Sequence, residues 1–240
     1  MEEQRDRDAD RDTGRAHWGF LAFFAGLGGY HLAILVFTAA TADRFAEVDI
    51  TDPPVLGPLL LLVFLPNVLL GLGPVVVSWW RGAGPRRDFG LVPTARDLKV
   101  GLAAGGAALL AAWLLGALLL RINPDRSGSL DEIGALSGGR TVWLAAAALF
   151  VFLGAPLTEE ILTRGALWQA LAHYNVPRLA VLALTALVFA FLHEESWRVL
   201  SLFAQGLAIG AARMITGRVA GSVVAHATNN LLPAVYLYLG

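Results

Sequence analysis

The chain has 240 residues, 56% of them hydrophobic and only 15% charged, with a mean hydropathy of +0.61 and a net charge of −1. A soluble domain carries about 25% charged residues, so this composition, with several apolar runs longer than about 18 residues, excludes an ordinary soluble fold and indicates a polytopic membrane chain. No basic patch points to nucleic acid, and the lack of cysteine excludes disulfides, thiol nucleophiles and cysteine-ligated metals.

Residues 1–16 hold six acids and four arginines and are expected to be a disordered charged tail. An apolar run follows from Trp18 to about Thr41. It ends in Ala40-Thr41-Ala42, which looks like a cleavage site, but the run exceeds a signal-peptide core and is predicted to be a retained first span. A second span covers about Val55 to Trp80, interrupted at Pro66-Asn67 and closed by Trp79-Trp80 at an interface. Arg81 to Lys99 is a polar loop with five basic residues. The third span runs from about Val100 to Leu120, where Gly101 and Gly105 offer a small-residue face for close helix packing. Arg121 to Thr141 is a loop rich in Gly, Ser and Asp.

The next apolar region, Val142 to about His173, would be about 48 Å long as a helix, too long for one straight span. Gly154 and Pro156 supply a break or kink within it, because proline removes a helix hydrogen bond. Further spans are predicted at about Arg178–His193, Val199–Ile215 and Val219–Leu239. The fold expected is an all-α, polytopic transmembrane helical bundle of about seven spans. Its regions are the tail (1–16), N-terminal transmembrane helices and loops (17–141) and a C-terminal core (142–240). With the N-terminus inside, 12 basic residues fall in cytoplasmic segments and five (Arg44, Arg121, Arg126, Arg140 and Arg198) outside. The N-terminus is therefore expected to be cytoplasmic.

Chemistry concentrates in Pro156-Leu157-Thr158-Glu159-Glu160-Ile161-Leu162-Thr163-Arg164-Gly165. Ionisable groups at membrane depth cost about 2.5–3.5 kcal/mol each on insertion scales and mark functional sites. On a helix Glu160 and Arg164 share a face, with the acid N-terminal to the base, the favoured order for an ion pair. Glu159 is rotated about 100° away and has no built-in partner. Two more polar sites stand out. His193 ends Phe189-Ala190-Phe191-Leu192-His193, and His226 shares a helical face with Asn229 and Asn230. A carboxylate, two imidazoles and a carboxamide are the parts for activating water and stabilising an oxyanion: Glu159 with His193 for the proton, His226 with Asn230 for the developing charge. The set Glu159, His193 and His226 could equally hold a divalent metal such as zinc. The residues alone leave the two readings open, although no His-Glu-x-x-His helix is present. His17, His31, His173, Asn67 and Gln205 read as structural or interfacial, and Trp168, Trp197 and Tyr236 as anchoring or packing aromatics.

Glu159-Glu160-x-x-x-Arg164, Phe189-x-x-x-His193 and His226-x-x-x-Asn230, in this order on successive apolar segments, resemble the CPBP family of intramembrane proteases. That family includes the type II CAAX prenyl endopeptidases and bacterial relatives linked to bacteriocin immunity. The resemblance covers about residues 142–240. It implies a CAAX-protease-like core, with Glu159 and His193 as the water-activating pair, His226 and Asn230 as the oxyanion site, and Glu160 with Arg164 in support. It further implies an endopeptidase of the cell membrane, with a bacterial look, whose partners are the lipid bilayer and a membrane-associated protein or peptide. The family has both metal-dependent and metal-free descriptions, so the cofactor stays open. Two other function classes are kept beside it, a non-catalytic membrane scaffold or immunity protein and a proton-coupled transporter.

Overall fold

The computed structural model describes residues 18–45, 53–124 and 141–239. The expected disordered tail and most of the 121–141 loop lie outside the described residues. What is described is helical, without strands. The helices are α1 (Trp18–Phe45), α2 (Pro53–Phe64), α3 (Asn67–Arg81), the single turn α4 (Pro85–Asp88), α5 (Ala95–Ile122), α6 (Val142–His173), α7 (Arg178–Leu192), α8 (Val199–Thr216) and α9 (Val219–Leu239).

Five stretches are long and apolar enough to cross a membrane: Trp18–Thr41, Pro58–Arg81, Ala95–Ile122, Val142–His173 and Ser196–Thr216. Two of the seven expected spans form helices that fall short of that standard. The helix α7 has only 15 residues, and α9 is diluted by His226, Asn229 and Asn230. Many apolar side chains face outward, among them Leu35, Trp113, Val142 and Leu179, each more than 65% exposed. Such a surface is what a bundle immersed in lipid presents. Trp79 and Trp80 are also exposed at the end of α3, where the Arg81 guanidinium lies 4.1 Å from the Trp80 ring centroid.

Local sequence explains several elements. Thr94 caps α5 reciprocally with Asp97, its hydroxyl accepting from the Asp97 backbone N–H while the Asp97 carboxylate accepts from the Thr94 N–H; this satisfies donors that a helix start otherwise leaves open. Pro66 separates α2 from α3, as expected. At Gly154–Pro156, where the sequence suggests a break or kink, α6 stays helical but is irregular. It widens there: α-helical turns at Val142–Leu149, Ala155–Glu160 and Trp168–His173 alternate with π-helical stretches at Phe150–Gly154 and Ile161–Leu167. A helix can accommodate a proline by shifting its hydrogen-bond register as well as by bending, and π-bulges recur at functional sites.

Around α6 the bundle has two halves. On one side α1 packs against α3 and the second π stretch, closing a core of Trp18, Phe23, Leu70, Phe89, Ile161 and Leu162. On the other, α5 packs along α8 and α9, and α7 along α8. The glycine face of α5 has the role its spacing suggests. A Cβ on Gly101 would come within 2.6 Å of Val224, and one on Gly105 within 2.5 Å of Thr228, so the two backbones nearly touch. Below this contact, the Arg218 Nε pairs with the buried Asp97 carboxylate at 3.1 Å and the Val219 N–H bonds the Phe89 carbonyl at 3.0 Å. Gly105→Val should therefore force α5 off α9 and cost about 1–3 kcal/mol, the usual range for overpacking. Gly106→Val, whose Cβ would meet nothing within 4 Å, should be close to neutral. Melting of the two variants in detergent checks this.

Candidate active site

The segment Ala155–Glu160 is the α-helical turn between the two π stretches of α6, and it carries both glutamates. Glu160 and Arg164 are fully buried, and the Arg164 Nη1 donates to Glu160 Oε1 at 2.8 Å. The ion pair expected from their spacing is present. The rest of the guanidinium is enclosed as well. Its Nη2 donates to the Gly206 carbonyl of α8 at 2.7 Å, its Nη1 to Thr163 Oγ1 at 3.1 Å, and its central carbon lies 5.0 Å from the Phe189 ring. A side chain at position 206 would crowd this contact, since a Cβ would sit 3.0 Å from Phe189 and 3.1 Å from Ala186.

Glu160 also binds the second imidazole. His226 Nδ1 lies 3.1 Å from Glu160 Oε1. A carboxylate accepts, so Nδ1 is the donor and Nε2 is the ring nitrogen left for other work. Phe189 packs between the two histidines, its ring centroid 5.2 Å from His226 and 4.6 Å from His193. His193 caps α7, and its Nδ1 is 2.9 Å from the Phe189 carbonyl. A carbonyl likewise only accepts, so in neutral His193 the proton sits on Nδ1 and Nε2 is the basic lone pair. Phe189, which the sequence marked only as part of a spacing, is the common wall of both imidazoles and the arginine.

Asn230 is held at both ends of its carboxamide. Its Nδ2 donates to the Val151 carbonyl at 3.0 Å, and its Oδ1 accepts from Asn229 Nδ2 at 3.2 Å. Asn229 Nδ2 also reaches Gln205 Oε1 at 3.2 Å, and Gln205 Nε2 donates to the Ser201 carbonyl and hydroxyl, both at 3.2 Å.

These groups open on one cavity of about 860 Å³. Its polar surface includes His193, Gln205, His226, Asn229 and Asn230, and its apolar walls include Leu110 and Trp113 of α5 and Leu232 and Tyr236 of α9. Trp197 and Arg198 also border it, Arg198 paired with Glu195 at 2.9 Å. So Trp197, Tyr236 and Gln205, taken from sequence as anchoring or structural residues, line the same space as the two histidines. A mid-span glutamine was the available signal for Gln205, but which side of α8 it faced depended on packing.

Glu159 stands differently. It is not among the residues lining the cavity, its Oε2 is buried without a hydrogen-bond partner, and Tyr30 of α1 is within electrostatic reach of both Glu159 and Glu194. The expectation that Glu159 lacks a built-in partner therefore holds for this oxygen. No hydrogen bond joins Glu159 to His193. Among the described residues, no group of three His, Asp or Glu side chains could hold a metal ion; Glu159, His193 and His226 are not gathered as a ligand set. The physical reason is the placement of Glu159: His193 and His226 both line the cavity, whereas Glu159 does not.

No curated protein and no solved structure matches the chain significantly. Residues 141–232, which run from the start of α6 into α9, match the family model described as type II CAAX prenyl endopeptidase Rce1-like. The helices that carry both glutamates, both histidines and Asn230 thus fall within the Rce1-like match, in agreement with the CPBP resemblance of their motifs.

Proposed function

We propose that the chain is an intramembrane endopeptidase that hydrolyses a peptide bond of a membrane-associated protein or peptide. The family supports a CAAX-type protease. The observation that carries the reading is the cavity: a mostly apolar space of about 860 Å³ in which two imidazoles and a carboxamide face a segment that lipid-facing helices could deliver. In this mechanism, as the resemblance implies, Glu159 and the basic Nε2 of His193 take the proton of a water that attacks the scissile carbonyl carbon; His193 already lines the cavity, and Glu159, which does not, turns its unpartnered carboxylate into it when substrate binds. The carbonyl oxygen becomes an oxyanion. The second N–H of Asn230, beyond the one given to Val151, donates to it, and the Nε2 edge of His226, held in place through Nδ1, faces it. Collapse breaks the C–N bond, and the proton taken from water passes to the leaving amine. Glu160 and Arg164 touch no substrate; they hold His226 through Nδ1. No step passes through a metal, because the three candidate ligands do not form a set.

In the same proposal 142–240 is the catalytic unit, 17–141 supplies helices that wall it, and the N-terminus faces the cytoplasm of a bacterial cell membrane. The support is the placement of basic residues in the 81–99, 178 and 213–218 segments. The test is comparative membrane proteomics of cells carrying the wild type or Glu159→Gln in a background without the gene. A protein fragment present with the wild type and missing with the variant is the expected result, and it names the substrate and the bond. Identical proteomes, with both proteins present at equal level and equal melting temperature, would replace the protease by the scaffold or transport reading.

A further inference from the structure

We propose that Pro156 is a positioning residue for Asn230: it leaves the Val151 carbonyl without a helical partner, and that open acceptor fixes which end of the Asn230 carboxamide faces the site. The catalytic half of the proposal rests on the protease reading; the structural half does not. Within Phe150–Gly154 the helix is in π register, and the Ala155 N–H accordingly bonds the Phe150 carbonyl, five residues back. The next bond of that register would run from residue 156 to the Val151 carbonyl. Residue 156 is proline and has no N–H. The α-register donor for Val151, the Ala155 N–H, is already used. Val151 is buried, at 7% exposure, where an unpaired backbone carbonyl is costly.

The donor that fills the gap comes from 79 residues away: Asn230 Nδ2, at 3.0 Å. This contact sets the polarity of the amide. With nitrogen held by Val151, the oxygen meets Asn229 Nδ2 at 3.2 Å, and the free N–H of the same nitrogen remains for the cavity. A flipped carboxamide would present its oxygen instead, an acceptor where an oxyanion needs a donor. The proline thus acts through a missing hydrogen bond, three residues ahead of Glu159 in the same helix.

A thermal-stability cycle on the full-length protein in detergent tests this with four proteins: wild type, Pro156→Ala, Asn230→Leu and the double variant. Asn230→Leu strands the Val151 carbonyl and should lower Tm by about 4 °C, as an unsatisfied buried acceptor does in a chain of this size. In the Pro156→Ala background the helix supplies its own N–H, and the same substitution should cost about 1 °C or less. Equal losses in both backgrounds overturn the proposal. Pro156→Ser restores the same N–H and stands in if the alanine variant does not fold. Because the cycle involves no catalysis, it decides the pairing whether or not the chain is a protease. On the substrate identified by the proteomic comparison, Pro156→Ala should lower kcat about tenfold with KM unchanged. Coupling in the cycle with unaltered kcat would overturn the catalytic half, and a lower kcat without coupling would assign the effect to packing and overturn the whole.

Discussion

Arg164→Met should lower the stability of the folded chain by about 3–5 kcal/mol, the cost of stranding one member of a buried ion pair. The Glu160 carboxylate would remain fully buried with the neutral Ser222 hydroxyl and the His226 Nδ1 at 3.1 Å beside it and no guanidinium, and the Gly206 carbonyl and Thr163 hydroxyl would lose their donor. Glu160→Met with Arg164→Met removes both charges. It should recover much of the loss, because an apolar pair of similar volume avoids the desolvation cost. The surface pair provides the contrast. Arg198 and Glu195 are 29% and 22% exposed, so Arg198→Met should cost well under 1 kcal/mol. Melting in detergent ranks the three variants. If Arg164→Met melts with the wild type, the buried pair does not hold α6, α8 and α9 together.

The largest expected effect on activity comes from Glu159→Gln, with turnover down by about 10²–10⁴, the range for losing a positioned general base. Gln keeps the size of the side chain and its buried oxygen but cannot take a proton. His193→Ala should fall in the same range, since its Nε2 is the second acceptor. If the two act as one unit on a single water, their losses are not additive, and the double variant should be no slower than the worse single one. Single-turnover rates on the identified substrate give the answer. Additive losses would mean that the two residues serve separate steps.

Some of this site was legible because its geometry is local. The Glu160–Arg164 pair follows from a four-residue separation on any helix, and the shared face of His226, Asn229 and Asn230 follows in the same way. The tight contact of α5 with α9 was legible in Gly101 and Gly105. Gly154 and Pro156 marked an irregularity in α6, but the sequence could not supply its form, a widened register, because a missing N–H is accommodated in several ways. Gln205 escaped for a related reason: its identity was plain, but the face it turned to the cavity depended on how α8 docks. Segment count was legible as helices and less so as crossings, because α9 spends apolar length on His226, Asn229 and Asn230.

The contact between α5 and α9 also has a mechanical side. The two rods are pinned where Gly101, Gly105 and the Asp97–Arg218 pair hold them, and beyond Leu109 they part to admit the cavity. From Gly105 to Leu120 is a lever of about 22 Å at 1.5 Å per residue. A tilt of about 5° at the pinned end moves the free end by about 2 Å, half the width of an extended chain. The compartment lies along the free ends of the two rods, where Leu110, Trp113, Leu232 and Tyr236 are exposed, so its width is set by the angle between the rods and not by the winding of either helix.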